Sequence, residues 1–293
     1  MDLDVFVTPG LGDATYLLRS GDEAVLVDPQ RDERRRNPLL RVTDLAGFTA
    51  DLTGELMAHP AYYADMAPIN RAGAPVLGRL PDVAAMRPDH VAQAQRGGVW
   101  VLDGRDRNAY AAAHLPGSLN IELNAGFASY VGWMLPFDAP ILLILPEPEE
   151  RSLAEATTQL VRIGWSRFVG YLRGGVASWR AAGGELTSFP VESVEQLCEA
   201  QRGDHPLVLD VRQTLEWNWG TVPGSRRIFV ADLPKHLADL PRTEPVWVIC
   251  SNGHRASIAA SLLDRAGITP RLIGTGGVGE WRTTCRNLPT ANV

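Results

Sequence analysis

Cysteine is scarce in this chain. There are three in 293 residues, Cys198, Cys250 and Cys285, and none before position 198. An odd number at long spacings suggests neither a disulfide framework nor a zinc-ligand pattern. Such a set fits a reducing compartment, so a cytoplasmic location is expected. Basic residues are outnumbered too, 28 Lys and Arg against 34 Asp and Glu, for a formal net charge of -6. That balance argues against a nucleic-acid partner, which calls for a basic face. It does not exclude a small anionic substrate, because a local field can oppose the global charge. Long apolar runs are missing as well. The stretch around Ile141 is only a few residues long, too short to span a bilayer. Met1–Gly10 lacks a basic region followed by an apolar run, so no signal peptide is expected.

What the chain does have is an internal repeat. One copy opens on the apolar run Val99–Leu102 and Asp103-Gly104-Arg105, the other on Leu207–Leu209 and Asp210-Val211-Arg212. A turn follows in each, His114-Leu115-Pro116-Gly117-Ser118 and Thr221-Val222-Pro223-Gly224-Ser225. A buried-strand pattern comes next (Ile141–Leu145, Val246–Ile249), then a helix (Ser152–Ile163, Arg255–Ala266) and a third strand (Phe168–Leu172, Arg271–Ile273). Each copy closes on a glycine pair and a tryptophan, Gly174-Gly175 with Trp179 and Gly276-Gly277 with Trp281. Short apolar strands alternating with amphipathic helices predict parallel sheets covered on both faces, in two α/β domains. The polar stretch Gly183–Ser193, with Pro190, reads as the linker between them. Expected boundaries are 88–187 and 188–293, after a first segment 1–87. That segment shows strand-like runs at Asp4–Thr8, Ala14–Leu18 and Ala24–Val27, a basic cluster Arg34–Arg36, two helix-like stretches and a short strand Pro75–Leu77.

The chemistry concentrates at Cys250. A buried strand ends, the cysteine follows at once, and Ser251-Asn252-Gly253-His254-Arg255 feeds a helix. In open α/β sheets ligands bind beyond the carboxyl ends of the strands. Unpaired amides and the dipole at the helix start favour an anion there, as do Arg255 and His254. Gly253 lets the backbone fold around the sulfur. A lone cysteine at a strand end is usually structural; here the loop, the glycine and the arginine favour a nucleophilic thiolate. Cys198, in the helix-like Val194–Ala200, and Cys285, in an irregular polar stretch, lack such a loop. Trp217 and Trp219 read mainly as packing residues, with a wall of the donor pocket as the alternative.

These features resemble the rhodanese family over roughly residues 90–293: Asp210-Val211-Arg212, Val222-Pro223-Gly224-Ser225, Cys250 to Arg255, and Gly276-Gly277 with Trp281. The resemblance implies a sulfurtransferase without a cofactor. Cys250 would take sulfane sulfur from a small anionic donor such as thiosulfate, or from a persulfide, and pass it to cyanide or a thiol through a covalent persulfide. It further implies that the amides of Ser251 to Arg255 cradle the sulfur and that Arg255 helps hold the donor, with Asp210 and Arg212 as candidate supports. The family often carries His where Thr221 stands. Segment 88–187 resembles the same domain without its nucleophile: its loop reads Leu145-Pro146-Glu147-Pro148-Glu149-Glu150-Arg151, so a structural, regulatory or protein-docking role is expected. Segment 1–87 is similar to the start of a metallo-β-lactamase fold, through Leu11–Leu18 and Ala24–Pro29, as in fusions of a persulfide dioxygenase with rhodanese domains. The metal motif is replaced by Met57-Ala58-His59-Pro60-Ala61-Tyr62-Tyr63-Ala64-Asp65. His59 alone falls short of the roughly three protein ligands of a catalytic metal, so a truncated fold without metal is expected.

Two alternatives stand beside the transferase. One is a sulfur carrier, sensor or docking module without turnover. The other is a phosphatase of the related fold, whose loop carries one residue more than the four between Cys250 and Arg255.

Overall fold

The computed structural model describes residues 2–7, 14–20, 23–27, 59–73, 76–203 and 205–285. The chain divides into two compact units, Met1–His59 and Pro60–Val293. In the first, β1 (Asp2–Val7), β2 (Ala14–Ser20) and β3 (Glu23–Val27) form an antiparallel meander, with Val5 opposite Tyr16 and Leu18 opposite Val25. The Arg34–Arg36 cluster and most of the expected helix-like region lie outside the described residues.

The second unit opens with α1 (Tyr63–Ala72) and an irregular stretch in which Val76 and Leu77 form no strand, contrary to expectation. Both side chains face solvent, Val76 at 98% and Leu77 at 49% exposure, so the segment buries no apolar surface that would hold it against a sheet. Then come β4 (Ala85–Met86), α2 (Pro88–Arg96), β5 (Trp100–Asp103), α3 (Arg107–Ala112), β6 (Leu119–Asn120), α4 (Phe127–Met134), β7 (Ile141–Ile144), α5 (Glu149–Arg162), β8 (Phe168–Leu172) and α6 (Gly175–Ala181). The second copy runs β9 (Val191–Glu192), α7 (Val194–Gly203), β10 (Val208–Asp210), α8 (Thr214–Trp217), β11 (Arg226–Arg227), α9 (Leu233–His236), β12 (Val246–Ile249), α10 (His254–Arg265), β13 (Pro270–Ile273) and α11 (Val278–Thr284).

Both copies are five-stranded parallel sheets with the same permuted order, β4-β8-β7-β5-β6 and β9-β13-β12-β10-β11. Their registers coincide: Asp103 pairs with Ile144 as Asp210 pairs with Ile249. Central strands β7 and β12 are buried along their whole length, as parallel strands covered on both faces must be. Helix α5 buries Ser152, Ala156, Thr157 and Leu160, one helical face.

The expected linker is more ordered than its polarity suggested. Thr187 bridges His114, Phe189 is buried, and Val191–Glu192 becomes the edge strand β9 on β13. Pro190 precedes the first paired residue, where a missing N–H is tolerated.

Helix α10 differs from the others because every residue from Arg255 to Leu263 is buried. It packs on β12 and β13 of its own domain and on β6 of the other. Small residues permit this close packing: Ser257 Oγ donates to Asn120 Oδ1, and Ser261 Oγ accepts from the Asn120 N–H at 3.1 Å. Trp133 meets Phe229 edge-on at 5.0 Å across the same interface. One apolar core runs through both copies.

Candidate active site

Strand β12 delivers Cys250 as the first residue past its end, with no exposed surface. The chain then turns tightly. Gly253 sits at φ +89°, and a side chain there would collide with the Gly274 carbonyl and with Arg107. Only glycine combines that φ with that lack of room. The turn aims the Gly253 N–H at Cys250 Sγ, 3.1 Å away. Asn252 Oδ1 accepts the His254 N–H at 3.3 Å and so satisfies one of the free amides at the start of α10.

Arg255 is part of an ion pair. Its Nη2 donates to Glu216 Oε1 at 2.8 Å and to Ser251 Oγ at 2.8 Å, while Nη1 donates to Glu216 Oε2. Burial alone would raise the Glu216 carboxyl. The Arg255 hydrogen bonds, the Gln213 N–H at 3.0 Å and the Arg255 and Arg212 charges outweigh it and hold the carboxyl below its ordinary range. Burial pulls the Arg255 guanidinium down, but the Glu216 hydrogen bonds and the Tyr130, Cys250 and Glu216 charges push it higher, so it stays a cation. The anionic donor assigned to Arg255 by resemblance therefore meets a guanidinium already neutralised by a carboxylate.

Asp210 and Arg212 act one step away. Arg212 Nε and Nη2 donate to Asp210 at 2.9 and 2.7 Å, Nη2 also to the Gly220 carbonyl at 2.7 Å, and Nη1 to the Glu216 carbonyl at 3.3 Å. The pair thus braces α8, which presents Glu216. The other copy has the same clamp: Arg105 donates to Asp103 at 2.6 Å and to the Ala113 carbonyl at 2.9 Å. Its presence beside a loop without cysteine marks it as a device of the fold.

The Cys-less copy reaches into the site. Arg107 Nη1 donates to the Asn252 carbonyl at 2.5 Å and to the Gly274 carbonyl at 3.2 Å, while its Nη2 pairs with Glu122 at 2.6 Å. Asn124 Nδ2 lies 3.2 Å from His254 Nδ1, and the Tyr130 ring packs on His254 with centroids 4.8 Å apart. Burial lowers His254 from its ordinary value, with the Arg107 and Arg255 charges adding to the effect against Glu122. Burial also raises the Tyr130 hydroxyl, with Cys250 and Glu216 adding and Arg255 opposing. Arg107, Glu122, Asn124 and Tyr130 carry no local sequence signal for the site, because the domain interface brings them there. Glu216 stands three residues after Gln213 and accepts the Gln213 N–H at 3.0 Å, which fixes it at the start of α8.

The corresponding loop of the Cys-less copy is built differently. Leu145 occupies the place of Cys250 and Pro148 that of Gly253, each the residue before its helix. Burial raises the Glu149 carboxyl in this loop, and the Gly174 and Gly175 N–H groups oppose the rise.

The other two cysteines require a correction. Cys198 of α7 and Cys285, which ends α11, form a disulfide with Cα atoms 5.7 Å apart. The pairing was hidden by a sequence separation of 87 residues. Cys285 is also buried, because Val278 and Trp281 turn its segment into an amphipathic helix rather than an irregular stretch. Trp219 is 70% exposed, and Trp217 lies under Arg227 at 5.8 Å. His59 is exposed, just ahead of α1.

Fold and site together define a tandem α/β protein with one cysteine loop, built at the junction of a complete and an incomplete copy. The model of the rhodanese-like domain matches residues 87–182 and 192–284, and the chain belongs to that family. A putative sulfur carrier protein of Bacillus subtilis is 26% identical over 96 residues, 32% of this chain and 52% of the relative. The chain thus spans about half the length of that relative. A thiosulfate sulfurtransferase of Stutzerimonas stutzeri is 29% identical over 99 residues, 34% of this chain and 90% of the relative. Among solved structures, a thiosulfate sulfurtransferase of Pseudomonas aeruginosa is 23% identical, covering 72% of this chain and 44% of its own, with a TM-score of 0.33. No helix among the described residues is long and apolar enough to cross a membrane.

Proposed function

We propose that the chain is a sulfurtransferase acting through a persulfide on Cys250. The observation that carries this reading is the free thiol at the end of a central strand, with the Gly253 N–H directed at its sulfur. In the first half-reaction the Cys250 thiolate attacks the outer sulfur of thiosulfate. A new S–S bond forms, the old one breaks, and sulfite leaves with the electron pair. In the second, cyanide or a thiolate attacks the terminal sulfur, the Cys250 thiolate leaves, and thiocyanate or a new persulfide departs. The terminal sulfur of Cys–S–S⁻ is anionic, so the donor that faces Sγ suits it as well.

Arg255 acts in this scheme by fixing the loop and Glu216, more than by binding the donor alone. Because Sγ has no exposed surface, a donor reaches it only when side chains around the loop shift. A low-molecular-weight donor fits that constraint. Residues 88–187 serve as a working wall of the site, through Arg107, Asn124 and Tyr130. The buried sulfur also favours a second reading, a carrier that is loaded once and unloaded by a partner; one relative is named a putative sulfur carrier. The shorter loop disfavours the phosphatase. The Cys198–Cys285 pair removes the argument from cysteine content for a reducing compartment.

Steady-state assay with thiosulfate and cyanide separates transferase from carrier. The transferase reading expects many turnovers per chain; a single burst stoichiometric with Cys250 would replace it with the carrier.

A further inference from the structure

The peptide bond between Asn252 and Gly253 is gripped at both ends. Its N–H points at Cys250 Sγ, 3.1 Å away, and its carbonyl oxygen accepts from Arg107 Nη1 at 2.5 Å. In a planar trans peptide these two groups point in opposite directions, so holding the oxygen sets the direction of the N–H. Arg107 comes from the Cys-less copy and is itself held. Its Nε and Nη2 donate to Glu122 at 2.9 and 2.6 Å, its backbone N–H donates to the same carboxylate at 3.0 Å, and Nη1 also meets the Gly274 carbonyl. The Arg107 and Glu122 side chains are 15% and 10% exposed, so water competes little for the pair. By the shared register, the counterparts in the cysteine-bearing copy are Thr214 and Phe229. Neither side chain can form such a pair, so at this register position the arginine–carboxylate pair belongs to the Cys-less copy alone.

We infer that Arg107 is a positioning residue of the sulfur site: the Cys-less domain supplies the cation that locks the Asn252–Gly253 peptide with its N–H on Cys250. This deepens the sulfurtransferase reading and rests on it for the reaction, though not for the geometry. A cation on the carbonyl also polarises the peptide and strengthens its N–H as a donor to a thiolate or persulfide. A donor fixed in advance costs no reorganisation when the negative sulfur forms. The Cys-less domain is thereby kept for a chemical reason although it carries no nucleophile.

The test compares Arg107→Ala, Arg107→Lys and, as a control elsewhere on the same interface, Asp264→Asn. Asp264 lies 3.3 Å from the buried His114 of the Cys-less copy and makes no part of the loop's grip. Two readouts are taken: the rate at which iodoacetamide alkylates the Cys250 peptide at one fixed pH without donor, and kcat and KM with thiosulfate and cyanide. Arg107→Ala slows alkylation and lowers kcat by about tenfold or more, while the thiosulfate KM stays within about twofold, as for loss of a charge-stabilising donor. Arg107→Lys regains most of both, since an ammonium can also donate to the Asn252 carbonyl. Asp264→Asn alkylates at the native rate. Alkylation of Arg107→Ala at or above the native rate, or an equal loss in Asp264→Asn, overturns the inference. If the native chain takes up no sulfur, the function reading fails while the alkylation arm still decides the role of Arg107.

Discussion

Arg255 and Glu216 form a two-point ion pair beside Cys250, with Arg255 Nη2 2.8 Å from Glu216 Oε1 and side chains only 10% and 20% exposed. Breaking such a pair from one side leaves a partly buried charge without its partner. Arg255→Ala leaves a carboxylate facing the anionic sulfur, and kcat/KM for thiosulfate falls by about a hundredfold, a loss of roughly 2.7 kcal/mol. Removing both groups in Arg255→Ala/Glu216→Ala restores part of it. Equal losses in the single and double variants, measured as kcat/KM, would show that Arg255 acts alone on the donor.

The same pair predicts an acid limb in stability. The Glu216 carboxyl is held below its ordinary value of 4.5, so the folded state favours its ionised form. The resulting stability is fully present above the unfolded-state value and is lost as pH falls through the lower folded value. Denaturant midpoints between pH 7 and pH 3, about the range of ordinary carboxylates, fall less steeply for Glu216→Gln than for the native chain. Parallel curves would remove Glu216 as a source of the slope.

Pro148 stands where Gly253 stands, and proline has no N–H. A cysteine placed at Leu145 consequently lacks the donor that the Cys250 sulfur receives, and it sits in a loop with Glu147, Glu149 and Glu150. The double variant Leu145→Cys/Cys250→Ser shows no sulfur transfer in the thiosulfate–cyanide assay. Activity above a small fraction of native would mean that a strand-end cysteine suffices without the amide.

Cys198 and Cys285 close a loop of 87 residues, for which chain entropy gives about 4 to 5 kcal/mol. Cys198→Ser and Cys285→Ser each lower the Tm by several degrees and retain most of the sulfur transfer. Thiol labelling of the denatured, unreduced native chain modifies one cysteine, Cys250; labelling of three would contradict the pairing.

Much of this architecture was legible in the sequence because its signals are local. The Asp-x-Arg starts, the Pro-Gly turns, the apolar strands and the glycine–tryptophan closes each occupy a few adjacent residues, and their recurrence gave two like sheets. Cys250 and its loop were legible for the same reason. The features that needed coordinates are those the fold assembles from afar. Arg107, Asn124 and Tyr130 lie more than a hundred residues before the loop they touch. Cys198 and Cys285 looked unrelated until α7 and α11 packed together. Gly183–Ser193 looked like a linker because edge strand β9 contributes only two residues to the ladder. Arg255 was legible as a cation near the sulfur, but its neutralisation by Glu216 was not, since 39 residues separate the two.

The central claim is that Cys250 carries sulfur, and the most direct measurement is the mass of the intact protein after thiosulfate and then after cyanide. The account predicts a gain of one sulfur atom, located on the Cys250 peptide, absent in Cys250→Ser and removed by cyanide. No gain with thiosulfate or with a low-molecular-weight persulfide, or an equal gain in Cys250→Ser, would contradict it.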